Sequence, residues 1–145
     1  MLTFEYTTTP EHIREIEDRV LAVAVERGAV DLRQGRILLV LDEILTNIRL
    51  YAYPDGPGPV RVEILPPRGE DDALLHLEIN DWGPPFDPLN EAPSPSLTHE
   101  LDGRPIGGLG LYLVNNVVCG IAYSRKHELL PSKGRNQLRI SFPLR

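Results

Sequence analysis

Apolar positions recur along this chain with two different periods, and the switches between them predict the order of elements. Leu2, Phe4 and Tyr6 alternate with Thr3, Glu5 and Thr7, the period of a half-buried strand. Thr9-Pro10 supplies an N-cap followed by proline at the first helical position, where its missing N–H costs nothing. Ile13, Ile16, Val20 and Val23 then make one helical stripe, closed by Gly28. Asp31 with Gln34 three residues on has the form of a capping box. It opens a longer helix that runs to about Tyr53, where Pro54-Asp55-Gly56 breaks it. Val60, Val62 and Ile64 share one face of a strand that carries Arg61 and Glu63 on the other. Leu75, Leu77 and Ile79 repeat that pattern after a turn at Pro66–Asp72. Pro88 to Arg104, rich in proline, serine and acid and without period, reads as a long mobile loop. A glycine-opened helix over roughly Leu109 to Val118 follows, then a strand near Gly120–His127 and a turn around Pro131–Gly134. The last strand has Leu138, Ile140 and Phe142 inward. The sum is an α+β fold, a two-layer sandwich with a mostly antiparallel sheet, polar on one face and covered on the other by three helices.

Length and composition narrow the class without naming a function. The 145 residues suit one domain, 1–145, with a sizeable core. No stretch is long and apolar enough to span a bilayer and no signal-peptide pattern opens the chain, so no membrane partner and a cytoplasmic location are expected. A single cysteine, Cys119, excludes an internal disulfide and a multi-cysteine zinc site; it reads as a small core hydrophobe. The net charge of -6 argues against nucleic acid as the main partner, because binding to phosphates needs a basic surface. An acidic surface instead keeps a protein soluble or meets a basic protein patch.

The candidate chemistry lies in three separated segments. At about 100° per residue, Leu38, Leu41, Ile44, Leu45 and Ile48 form a stripe expected to pack on the sheet, with Asp42 and Arg49 on a solvated flank. Glu43 and Asn47 lie opposite the stripe, one turn apart, among Leu39, Val40 and Leu50. On an arbitrary helix such a pair is as often simply solvated. A carboxylate and an amide in apolar company point instead to a partly enclosed ligand. The carboxylate can take a proton from an attacking hydroxyl or water, and the amide oxygen is a hard ligand suited to Mg²⁺. Counting by two from Leu75 places Asp81 on the inward face, where it needs a partner. The exocyclic amine of adenine and the backbone of the following turn serve equally well. Gly83 lets the backbone pass close to a flat base, and Trp82 is most simply a packing residue. Gly107, Gly108 and Gly110 precede an apolar helix, whose exposed N–H groups and dipole favour an anion. The lysine of a P-loop is absent, and Arg104 is the nearby cation on the loop side.

In this order, Leu41-Asp42-Glu43-Ile44-Leu45-Thr46-Asn47, Asn80-Asp81-Trp82-Gly83-Pro84-Pro85-Phe86-Asp87 and Ile106-Gly107-Gly108-Leu109-Gly110-Leu111 resemble the N, G1 and G2 boxes of the GHKL ATPase superfamily. Within it, the three segments look most like those of bacterial anti-sigma-factor serine kinases, and the likeness covers nearly the whole chain. The resemblance implies the GHKL (Bergerat) ATP-binding fold, ATP with Mg²⁺, Glu43 as general base and Asn47 as magnesium ligand. It implies Asp81 as adenine acceptor, Gly83 and Phe86 among the base-pocket residues, and an ATP lid at about 88–106. It puts Gly107, Gly108 and Gly110 at the phosphates, with Leu109 and Leu111 also among the nucleotide-binding residues and Arg104 either meeting a phosphate or simply solvated. It further implies phosphorylation of a serine on a STAS-like antagonist protein, alternate binding of a sigma factor, and a homodimer. The chain departs from the family pattern in two places. Leu50 stands where members usually carry a basic residue, and Asn136 and Gln137 stand where the last strand often brings a threonine. A non-catalytic nucleotide-binding module that sequesters a partner is the alternative function.

Overall fold

A computed structural model of the chain describes residues 1–85, 117–127 and 134–145. Strand β1 (Leu2–Thr7) leads into helices α1 (Pro10–Glu26) and α2 (Asp31–Asn47), and α2 passes into a π-helical turn (Ile48–Ala52). Strands β2 (Pro59–Ile64), β3 (Leu74–Asp81), β4 (Gly120–Lys126) and β5 (Arg135–Pro143) complete the described elements. The five strands form one sheet in the order β1-β2-β3-β5-β4, with every neighbouring pair antiparallel. β3 is therefore central, and its end at Asp81 sits between Val60 of β2 and Asn136 of β5.

The core forms where the alternating strand faces meet the helical stripes. Val60, Val62, Leu75, Leu77, Ile79, Leu138, Ile140 and Phe142 are buried against Ile13, Ile16 and Val20 of α1 and Ile37, Leu41 and Leu45 of α2. Each such side chain contributes roughly 1.5–3 kcal/mol on leaving water. The other sheet face is polar, and its central residues are buried as well. Glu78 accepts from Gln137 Nε2 at 2.7 Å and Arg139 Nε at 3.1 Å, while Asn80 accepts from Arg135 Nε at 3.1 Å. Long side chains of β5 thus roof the polar groups of β3. His76 stands between Ser141 and Asp72, and Asp72 also takes the backbone N–H groups of Arg68 and Leu74. The Arg68 amide first, and His76 after it, hold the Asp72 carboxyl down at about 2.

The fold class and the strand assignments agree with the pattern in the sequence, and Thr9 caps α1 through the His12 amide. Gly28 takes the left-handed conformation, φ 92°, that ends α1. Of the third expected helix only Val117 and Val118 are among the described residues, and they pack against the core. The expected lid at 88–106 lies outside the described residues, as do Phe86, Arg104, Gly107, Gly108, Leu109, Gly110 and Leu111.

Four local expectations change. α2 begins with Val30 as its cap, and no side chain caps it. Asp31 therefore lies inside the first turn rather than at the cap, and Gln34 donates to Ala29 O instead of closing a box with Asp31. The packed stripe of α2 is rotated towards Val40, which is 1% exposed, while Leu39 is 50% exposed and Leu38 only half-buried. Cys119 is exposed rather than in the core, in the short link before β4. Arg49 is not solvated on a flank: its Nε is buried, and its side chain lines a cleft between α1 and α2.

That cleft encloses about 210 Å³ and is lined by Arg14, Glu17, Asp42, Thr46 and Arg49 among others. Burial first, and then a hydrogen bond with the Asp42 carboxyl, push Glu17 up to about 7. Two carboxyl groups bond only when one holds a proton, so the folded chain binds that proton more tightly than the unfolded one. Stability from this pair is complete below about pH 4.5 and is lost as the pH rises through about 7. Between pH 5.5 and 8.5 the wild-type melting temperature should therefore fall by roughly 2–4 °C more than that of Glu17→Gln. Parallel melting curves for the two proteins across that range would refute the shared proton.

Candidate nucleotide site

Glu43 and Asn47 project from the last turns of α2, beside the Val40 edge of its packed stripe. Asn47 is 3% exposed and Glu43 half-buried. Glu43 Oε1 and Asn47 Oδ1 are both shut off from water, and neither has a hydrogen-bond partner among the described residues. A buried acceptor left unpaired costs about 1–3 kcal/mol, and proteins seldom leave two a turn apart. Two hard oxygen acceptors in that arrangement suit a hydrated cation and a donor hydroxyl.

The π-helical turn that follows decides which side chains continue the Asn47 face. Its wider coil adds about one residue per turn, so Leu50 rotates further from Asn47 than in an α-helix. Arg49 stays on the Asp42 flank, in the cleft with Glu17 and Asp42. The helix end does distort, but not in the sense that would bring Arg49 round to replace the missing cation.

The strand end meets this turn directly. Asp81 is 5% exposed on the inward face of β3, as the count by two predicts. Its Oδ1 accepts from the Gly83 amide at 3.0 Å and from Asn136 Nδ2 at 2.9 Å, and Oδ2 takes neither bond. The turn-capping use of Asp81 is thus real, and it occupies one oxygen only. Burial raises the Asp81 pKa against the lowering pull of Asn136, the Gly83 amide and Arg125. Gly83 serves packing first: a Cβ there would come within 2.6–2.8 Å of Ala52 side-chain and backbone atoms. No side chain fits, so the glycine seats the strand end on the last residue of the π turn. Tyr53 closes the same junction, accepting from the Trp82 amide at 2.7 Å and donating to Pro59 O at 2.6 Å. Trp82 is half-buried, with the Arg61 guanidinium 5.0 Å from its ring centre.

Asn136, which the sequence marks only as a departure from the family pattern, and Tyr123 and Arg125, which it does not mark, complete the strand-end half of the site. Asn136 bonds Asp81 and Pro84 O, Tyr123 donates to Asn136 at 2.6 Å, and Arg125 donates to Gly83 O at 2.8 Å. Only strand register could have found them. Position 136 stands out in the sequence as a departure from a family threonine, and pairing β3 with β5 shows what it touches. Among the described residues there is no group of three or more His, Cys, Asp or Glu side chains placed to hold a metal. Among them, too, no helix is long and apolar enough to cross a membrane.

Comparison with known proteins agrees with this architecture. Among solved structures the chain is similar to one in the SiaB-SiaC complex from Pseudomonas aeruginosa, at 17% identity and a TM-score of 0.60. That likeness covers 98% of this chain and 90% of the other, and at such identity it is a likeness of fold. No curated protein matches the chain. The model of the histidine kinase-like ATPase domain matches residues 6–142. By that match, over nearly its whole length, the chain belongs to the histidine kinase-like ATPase domain family.

Proposed function

We propose that the protein is an ATP- and Mg²⁺-dependent serine/threonine kinase of the anti-sigma-factor type, phosphorylating a STAS-like antagonist protein and alternately holding a sigma factor. The carrying observation is the pair of orphaned, enclosed oxygens on Glu43 and Asn47. Asn47 Oδ1 is the neutral hard donor that Mg²⁺ accepts while keeping most of its water. The metal, when bound, neutralises charge on the phosphates. Glu43 takes the proton of the substrate hydroxyl, Asp81 Oδ2 accepts from the adenine amine, and the amides at Gly107, Gly108 and Gly110 cradle the phosphates. A chain of similar fold was solved in a complex of two proteins, which favours a protein partner here.

One observation favours a second reading. Leu50 is rotated off the Asn47 face and Arg49 is turned into the α1/α2 cleft, so among the described residues neither position brings a cation beside Asn47. A nucleotide-binding module that sequesters its partner without phosphorylating it needs no such cation. Calorimetric titration with Mg-ATP, then incubation with γ-labelled ATP and STAS-domain proteins of the same genome, separates the two. Saturable binding with label on a partner serine or threonine is expected. Binding without transfer to any candidate leaves the sequestering module, and no heat at millimolar Mg-ATP removes both.

A further inference from the structure

We infer that Asn136 is a positioning residue that makes this site choose a 6-aminopurine over a 6-oxopurine, by holding Asp81 as an acceptor aimed at the base. The inference rests on the nucleotide reading above and adds to it the source of base selectivity.

Asn136 faces Asp81 directly across β3 and β5. Its Nδ2 donates to Asp81 Oδ1 at 2.9 Å and to Pro84 O at 2.9 Å. Its Oδ1 accepts from the Tyr123 hydroxyl at 2.6 Å and from Arg125 Nη1 at 3.2 Å. Acceptors lie on one side of the amide and donors on the other, so it has one orientation: a flip would turn its NH₂ onto a guanidinium. The same Arg125 nitrogen donates to Gly83 O at 2.8 Å, and the Gly83 amide returns to Asp81 Oδ1. The bonds close a ring through Asp81, Asn136, Arg125 and Gly83. Gly134 leaves room for it, since a Cβ there would meet the Arg125 guanidinium at 2.7–3.0 Å.

Among the described residues, both bonds that Asp81 receives come from N–H groups and end on Oδ1, so the ring leaves Oδ2 for the base. An ionised Oδ2 accepts from the amine of a 6-aminopurine, while a protonated Oδ2 would donate to a 6-oxo group. Burial favours the protonated form; Asn136, the Gly83 amide and Arg125 oppose it. Among the described residues, the ionisable groups around Asp81 are Arg125 from β4 and Tyr53 from the loop after the π turn. Burial pushes Tyr53 up to about 12, so it stays neutral while Asp81 titrates. Base choice therefore depends on the amide at 136 and on the Tyr123 and Arg125 contacts that orient it.

The test compares Mg-ATP with Mg-ITP, its 6-oxo counterpart, by titrating the full chain between pH 6 and 9. Wild type should prefer ATP. Asn136→Ala should weaken ATP binding roughly tenfold or more and narrow the ATP:ITP ratio, most at the acid end. Its ATP affinity should also recover more with rising pH than that of wild type. Tyr123→Phe, which keeps the amide and removes one of its orienting donors, should shift the same ratio in the same direction but less. If Asn136→Ala does not fold, Tyr123→Phe decides. A folded variant with an unchanged ATP:ITP ratio and unchanged pH dependence overturns the role of Asn136 while nucleotide binding stands. Wild type that binds neither nucleotide overturns this inference together with the reading beneath it.

Discussion

Glu43→Gln should retain Mg-ATP affinity within about threefold of wild type and lower phosphate transfer to the partner by roughly 10²–10⁴-fold, the usual contribution of a positioned general base. The substitution keeps the shape of the side chain and one acceptor oxygen. What it removes is basicity, in a side chain whose Oε1 is sealed from water and has no partner among the described residues. A glutamine has no need of a counter-charge there, so the variant should melt no earlier than wild type. Titration and transfer measured on the same preparation separate the two roles open to this side chain. Parallel loss of affinity and transfer would make Glu43 a binding residue, and transfer that survives would take catalysis away from it.

Asp81→Asn should lower Mg-ATP affinity roughly 100-fold without destabilising the fold. An asparagine can keep Oδ1 and with it the bonds from the Gly83 amide and Asn136 Nδ2. Its NH₂ then stands where Oδ2 was, donor against the donor amine of adenine. Because burial already penalises the carboxylate, the neutral amide is the easier group to enclose, and the melting temperature should hold or rise. If binding and melting temperature fall together, Asp81 is a turn cap only and has no separate use for the base.

Residues whose environment is set by local period were legible in the sequence. The inward face of β3 could be counted off from Leu75 to Asp81, and the caps and stripe of α1 followed from Thr9-Pro10, Gly28 and the spacing of Ile13, Ile16 and Val20. α2 shows where a helical wheel loses resolution. With apolar residues at 37 to 41 and again at 44, 45, 48 and 50, several stripes fit, and only packing chose Ile37 and Val40 over Leu38 and Leu39. The π turn was hidden for another reason. A shift from i→i+4 to i→i+5 bonding leaves no change in the letters, yet it turns Leu50 further from Asn47. Asn136, Tyr123 and Arg125 are separated from Asp81 by dozens of residues, and β-pairing alone brings them together. The glycines expected to meet phosphate, Gly107, Gly108 and Gly110, lie outside the described residues.

The seat of Gly83 on Ala52 joins the two parts of the chain that the proposed function assigns to opposite ends of a nucleotide. Asn47 is bound to that seat through a single π turn, and Asp81 through two residues of strand end. With Tyr53 tied to both Trp82 and Pro59, neither part can swing without the other. The spacing between Asp81 and Asn47 is therefore fixed during folding, before any ligand arrives. A ligand that spans both ends meets a preorganised pair and spends little entropy in aligning them, whereas a fragment that reaches one end alone gains nothing from the other.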